Sequence, residues 1–137
     1  MNYFEKALSL HKKYKGKIAV YAKMEILSKD DLATVYSPGV AEPCLEIHRN
    51  PNDVYTYTAK GNMVAVVSAG SAVLGLGNIG AEASIPVMEG KAMLFKKLAN
   101  IDAFPICLNT QDTEEIIETV RTCEFPCLSM TSTGQPL

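Results

Sequence analysis

The sequence contains no uninterrupted apolar stretch approaching the roughly 18 residues that a bilayer crossing needs, which excludes a membrane-spanning helix. Its start, Met1-Asn2-Tyr3-Phe4-Glu5-Lys6, does not have the layout of a secretory signal, so a cytoplasmic protein is expected. An excess of basic residues is also missing. Thirteen basic against fifteen acidic residues give a net charge of -2, and no cluster is large enough to grip a phosphate backbone, which argues against nucleic acid as a partner. Cysteine is too scattered for a disulfide framework: of Cys44, Cys107, Cys123 and Cys127, two sit inside apolar segments, where a reduced thiol acts as a small hydrophobe. Cys123-x-x-x-Cys127 is half of a zinc motif, but there is no second pair, and neither His11 nor His48 lies nearby in sequence. No internal repeat and no low-complexity linker marks a second domain. The 137 residues, 47% hydrophobic and 20% charged, fit one globular domain.

What is present begins with helical spacing over Tyr3 to Tyr14, where Phe4, Ala7, Leu8 and Leu10 oppose Glu5, Lys6, Lys12 and Lys13, with Gly16 as the stop. Ser28-Lys29-Asp30-Asp31 has the form of a capping box and predicts a short helix to about Val35. Tyr36-Ser37-Pro38-Gly39 follows as a sharp turn, since Pro38 disfavours helical geometry at Ser37. Pro43 suits the first turn of a helix from Glu42 to about His48, and Asn50-Pro51-Asn52 breaks the chain. Val54 to Thr58 alternates in strand-forming residues and predicts a strand. Met63 to Val67 and Ala103 to Leu108 are apolar runs of the kind buried on both faces. Between those runs a helix is predicted over Val87 to Ala99. Another follows over Asp112 to Arg121, with Ile116, Ile117 and Val120 inward. Strand, helix, strand, helix implies parallel pairing with a right-handed crossover. From Thr122 onward periodicity is lost, and residues 122–137 are expected to be irregular.

Three features bear on chemistry. Gly75, Gly77 and Gly80 satisfy G-x-G-x-x-G, but a dinucleotide site needs an acidic residue ending the next strand, and Asp102 instead precedes the run Ala103 to Leu108. A structural turn or a site for a small anionic ligand remain open for this loop. On the helix after it, Val87, Leu94, Phe95 and Leu98 form an apolar stripe with Lys91 inside. Lys91 either snorkels to water or is desolvated enough to serve as a base near neutrality. Tyr36, fixed at a helix end by a Pro-Gly turn, either packs its ring or offers its phenol as a proton donor.

Tyr36-Ser37-Pro38-Gly39-Val40-Ala41, Tyr57-Thr58-Ala59-Lys60-Gly61-Asn62, Val73-Leu74-Gly75-Leu76-Gly77-Asn78-Ile79-Gly80, Met88-Glu89-Gly90-Lys91-Ala92 and Ile101 to Leu108 together resemble the N-terminal domain of the bacterial-type malic enzymes. The resemblance runs from about Leu8 to Arg121, and a domain over residues 1–121 is expected. It implies an α/β fold, a small mostly parallel sheet flanked by helices and preceded by an N-terminal helical segment. It implies oxidation of L-malate with NAD or NADP and Mg2+ or Mn2+, then decarboxylation to pyruvate. Tyr36 would be the acid that protonates the enol carbon, and Lys91 the base that takes the malate hydroxyl proton. Lys91, Gly77 and Asn78 would bind the substrate, with the nucleotide on a separate Rossmann domain. The resemblance implies an aspartate in most relatives where this chain has Ala69. It also continues past Arg121 into metal-ligating acidic residues and the nucleotide domain, which are not found here. The chain thus resembles a truncation or a shifted reading frame, with no cofactor or metal expected to bind fully and no activity expected alone. A homodimer is expected. A non-catalytic interaction module, or a small dicarboxylate-binding domain, are the alternatives.

Overall fold

A computed structural model describes residues 2–129. It divides into two compact units, one of residues 2–18 with 63–129 and the other Ala19–Asn62. All the fully buried apolar side chains among the described residues, Ala65, Val66, Val67, Val73, Met88 and Ala92, lie in the larger unit.

In the larger unit, helix α1 (Tyr3–Tyr14) is closed at its start by a capping box: the Asn2 side chain accepts from Glu5 N–H, and Glu5 reaches back to Asn2 N–H. Strand β1 (Met63–Ser68) is central, with β2 (Asp102–Cys107) on one side and β3 (Cys127–Ser129) on the other, both parallel to it. The expected parallel pairing is therefore present, in the register Met63 opposite Asp102 and Ser68 opposite Cys107. Central placement explains why Ala65 to Ser68 are buried. β2 is half-buried along its whole length and not sealed on both faces as expected, because it lies at the edge. An edge strand tolerates Pro105, which has no amide hydrogen to give a further neighbour.

Helix α5 (Ala81–Ala99) begins six residues before the predicted Val87 and carries Pro86 inside it. As the sixth residue of the helix, Pro86 has no amide hydrogen to give to Glu82 O, four residues back, and the helix runs on past that missing bond. Its buried face is Ser84, Met88 and Ala92, at i, i+4 and i+8. The stripe expected in the core is thereby corrected: Phe95 is half-buried, but Leu94 and Leu98 are 52% and 82% exposed. Helix α6 (Thr113–Thr122) starts at Asp112, whose carboxylate accepts from Glu115 N–H at 3.0 Å. Ile116 and Val120 are half-buried on it, whereas Ile117, expected inward, is exposed.

The segment expected to be irregular from residue 122 contributes β3, paired as Ala65 to Cys127 and Val67 to Ser129. Phe125 stands edge-on to Phe104, with ring centroids 5.5 Å apart, and Ala65 N–H donates to Pro126 O at 2.9 Å. The rest of that expectation, residues 130–137, lies outside the described residues.

The smaller unit holds helices α2 (Lys29–Val35), α3 (Ala41–Arg49) and α4 (Val54–Tyr57), with 3-10 turns at Pro51–Asp53 and Ala59–Gly61. Ser28 caps α2 as expected, its hydroxyl accepting from Asp31 N–H at 3.0 Å. The bond from the Ser28 hydroxyl, followed by that from Leu27 N–H, holds the Asp31 carboxyl below its ordinary range. The strand predicted over Val54 to Thr58 is instead helix α4. Val54 and its neighbours have strand propensity, but no described strand of this unit offers an edge to pair with. The local bonds take over: Thr58 N–H and Oγ1 both donate to Val54 O, at 3.1 and 2.6 Å.

Candidate active site

The residues expected to bind and turn over substrate fall into both units. Tyr36 belongs to the smaller one, and Gly77, Asn78 and Lys91 to the larger.

Tyr36 closes α2, its N–H donating to Leu32 O at 3.0 Å and its carbonyl accepting from Val40 N–H at 2.7 Å. The Ser37–Pro38 peptide bond is cis. Gly39 sits so close to the preceding helix that a Cβ there would lie 2.3 Å from Thr34 O, which only glycine accommodates. These constraints fix the backbone beneath the tyrosine while leaving its ring 68% exposed. The corner therefore presents the phenol and does not bury it.

The loop between β1 and α5 is held by its own backbone. Gly70 O accepts from both Ile79 and Gly80 N–H at 3.2 Å, and Val73 N–H donates to Gly77 O at 2.9 Å. Gly70, Gly75, Gly77 and Gly80 all take positive φ. Val73 points into the core, so the loop is anchored at its middle as well as at its base. Asn78 is paired side chain to side chain with Gln111, through bonds of 2.7 and 2.8 Å. Gln111 was not legible as a partner, because 33 residues separate the two. The pairing uses one donor and one acceptor of Asn78 and leaves its second amide hydrogen and second lone pair for a ligand.

This loop leaves β1 at the carboxyl end, and Asp102 stands opposite Met63 at the other end of the same strands, about 17 Å away along six strand residues. Asp102 is also ion-paired with Lys96 at 2.7 Å. The residues present do not make a dinucleotide site around these glycines. Nor do three or more His, Cys, Asp or Glu converge anywhere among the described residues, so the acidic cluster that a divalent metal needs is not formed by them.

Lys91 lies about 15 Å along α5 from Ala81, one turn after the buried Met88 and beside Ala92. It is half-buried at the boundary between the core face and the exposed flank of Leu94 and Leu98. That desolvation lowers the ammonium's pKa from its ordinary value of 10.5. A cationic side chain that snorkelled fully into water would not feel this cost. Gly90 beside it has nothing within 4 Å of the place a Cβ would occupy, so the helix surface there is open. One turn away, the chain leaving α1 is fastened to α5. Lys17 N–H donates to Glu89 Oε2 at 3.0 Å, and the Lys17 ammonium donates to Pro86 O at 2.8 Å and contacts His11 Nε2. Lys17 and Glu89, 72 residues apart, form a tether that no sequence period announces.

Comparison with known proteins adds the family. Residues 13–121 match the model of the malic enzyme N-terminal domain. The bifunctional malic/malolactic enzyme of Bacillus subtilis is 60% identical over 124 residues, 90% of this chain and 30% of that protein. The NAD-dependent malic enzyme of Geobacillus stearothermophilus is 58% identical over 106 residues, 77% of this chain and 22% of that protein. The crystal structure of malic enzyme from Pyrococcus horikoshii superposes with a TM-score of 0.82 at 54% identity, covering 85% of this chain and 28% of that one. Other relatives, from Haemophilus influenzae and Escherichia coli, are named NADP-dependent malic enzymes. The chain spans 14–30% of the length of the curated relatives it matches.

Proposed function

The chain belongs to the malic enzyme family through the N-terminal domain, and from that premise we propose that it carries the substrate-handling part of an enzyme for the oxidative decarboxylation of L-malate. The whole reaction converts L-malate and NAD or NADP to pyruvate, CO2 and the reduced nucleotide. Lys91 takes the proton of the malate hydroxyl as the C2 carbon is oxidised, and Tyr36 gives a proton to the enol carbon once CO2 has left. Gly77 offers backbone amide and Asn78 its side-chain amide to the substrate. The observation that carries this reading is Lys91: a lysine on the margin of a buried helix face, its pKa lowered by desolvation, inside the stretch that matches the family. A divalent metal would supply Lewis acidity in such an enzyme, and the described residues do not provide its ligands.

The test separates the chain from the whole. The 137-residue protein, given malate, Mn2+ and either nucleotide, should yield no reduced nucleotide above background. Continuing it after Arg121 with the remainder of the Bacillus subtilis relative should give malate-dependent reduction. A folded chimera that binds nucleotide but stays inert towards malate would refute the proposal.

We further propose self-association through α1, whose outward residues support it. Phe4 and Leu8 are 81% and 75% exposed on successive turns of one face, and Leu10 on the same helix is 43% exposed. Apolar surface of this kind commonly becomes a two-fold interface, in which a substitution enters twice. Leu8→Glu should therefore shift a dimer to monomer in light scattering at micromolar concentration. A monodisperse monomer for the unsubstituted chain would dispose of the idea. No helix of the described residues is long and apolar enough to cross a membrane.

A further inference from the structure

Two cysteines that the malate chemistry does not use meet where α6 gives way to β3. Cys123 follows α6 and Cys127 opens β3, so only Glu124, Phe125 and Pro126 lie between them. That turn is held on both sides, by the bond from Ala65 N–H to Pro126 O and by the Phe104–Phe125 ring contact. Cys127 itself stands opposite the buried Ala65 in the ladder. With the backbone so placed, the Cys123 thiol lies close enough to the Cys127 thiol to perturb it, and the Cys127 thiol donates to Phe125 O at 3.2 Å. Both side chains are half-buried, near enough to the surface for a small reagent to reach. The other two thiols have different surroundings: Cys44 is exposed on α3 and Cys107 accepts from the Ser84 hydroxyl at 3.5 Å. Among the described residues no third ligand joins the pair to make a metal site.

We propose that Cys123 and Cys127 form a redox-sensitive dithiol, which closes to an intramolecular disulfide by exchange with a low-molecular-weight disulfide. The Cys123 thiolate attacks one sulfur of the incoming disulfide, breaks its S–S bond and expels one small thiolate, leaving a mixed disulfide on Cys123. Cys127 then gives up its proton to solvent, and its thiolate attacks the Cys123 sulfur and releases the second small thiolate. Both leaving groups take up protons. Two electrons pass from the protein to the small disulfide, which ends as two thiols. Burial and then the neighbouring Cys123 push the Cys127 thiol up to about 11, which keeps it protonated and leaves the first attack to Cys123. Closure draws the sulfurs to about 2.05 Å and ties β3, three residues long at the sheet's edge, to the end of α6.

The experiment equilibrates the full chain with oxidised and reduced glutathione at graded ratios, blocks the remaining thiols with iodoacetamide and maps tryptic peptides. Residues 122–137 contain no lysine or arginine, so both cysteines fall in one peptide. As the ratio rises, that peptide should appear unalkylated and two hydrogens lighter. Because the second step is intramolecular, this should occur at a ratio roughly tenfold or more below the one that caps Cys44. Cys127→Ser should instead retain glutathione on Cys123, and Cys44→Ser should leave closure unchanged. The proposal is overturned if the peptide stays doubly alkylated where Cys44 is already capped. It is equally overturned if oxidation yields only disulfide-linked chains or only glutathione adducts on the unsubstituted protein.

Discussion

Gly70→Ala should unfold the larger unit or bring it close to unfolding, whereas Gly75→Ala should leave it folded with a small loss. Both glycines take positive φ, +67° and +77°, so both substitutions incur the left-handed penalty of about 1 kcal/mol. Their surroundings separate them. A Cβ on Gly70 would stand 2.0 Å from Gly80 O and 2.3 Å from Gly80 C, both backbone atoms that cannot swing aside. A Cβ on Gly75 would meet nothing within 4 Å. Relieving the first clash means parting Gly70 from Gly80, which breaks the two bonds closing the base of the loop, immediately before α5 starts. The expected cost is about 3 kcal/mol or more, a large share of the 5–15 kcal/mol that holds a typical domain. Urea titrations of the two variants decide the matter. Equal shifts in midpoint would mean that the loop closes in some other way.

That clasp also shows where sequence reading stops. Glycines at 70, 75, 77 and 80 announce a turn, but which of them touches another backbone depends on the path of the nine residues between Gly70 and Gly80. Elements whose instructions are local are the ones that sequence reading places well. α1 and α2 have side-chain caps and end where expected, and β1 is a β-branched run in the centre of the sheet. α5 has no side-chain cap at Gly80, so its beginning carries no signal, and Pro86 reads as a start although the helix already runs there. Its buried face is led by Ser84 and Ala92, small residues that a search for large apolar side chains passes over. Val54 to Thr58 and β3 err in opposite directions for one reason. Strand formation requires a partner edge, which residues 54–58 lack in their unit and residues 127–129 find on β1. Lys91 and Tyr36 were legible as candidates from their immediate neighbours. Their supports, Glu89 with Lys17 and the close approach of Gly39 to Thr34, come only with the fold.

Lys91→Met and Lys91→Arg, introduced into the completed enzyme described above, should each lower kcat by about 10²- to 10⁴-fold, the usual contribution of a positioned base. The arginine variant carries the discrimination. Its guanidinium keeps the positive charge and can still bind a malate carboxylate, but it cannot be deprotonated in a protein and so cannot accept the hydroxyl proton. If Lys91 serves only as a charge for anchoring substrate, arginine should retain activity within about tenfold and methionine should raise KM. If Lys91 is the base, the two variants fail alike in kcat. The pH dependence has a definite sign. A base must be neutral to act, so the rate should rise with pH as Lys91 loses its proton, and desolvation moves that rise below the ordinary lysine value of 10.5. The same poise is readable without turnover, because an amine-selective reagent consumes the neutral form. At near-neutral pH it should modify Lys91 faster than Lys12, which lies exposed on α1, and prior addition of malate should slow the reaction at Lys91 alone. Labelling of Lys91 no faster than that of Lys12 at any pH, together with an active Lys91→Arg enzyme, would remove this lysine from the proton-transfer chemistry.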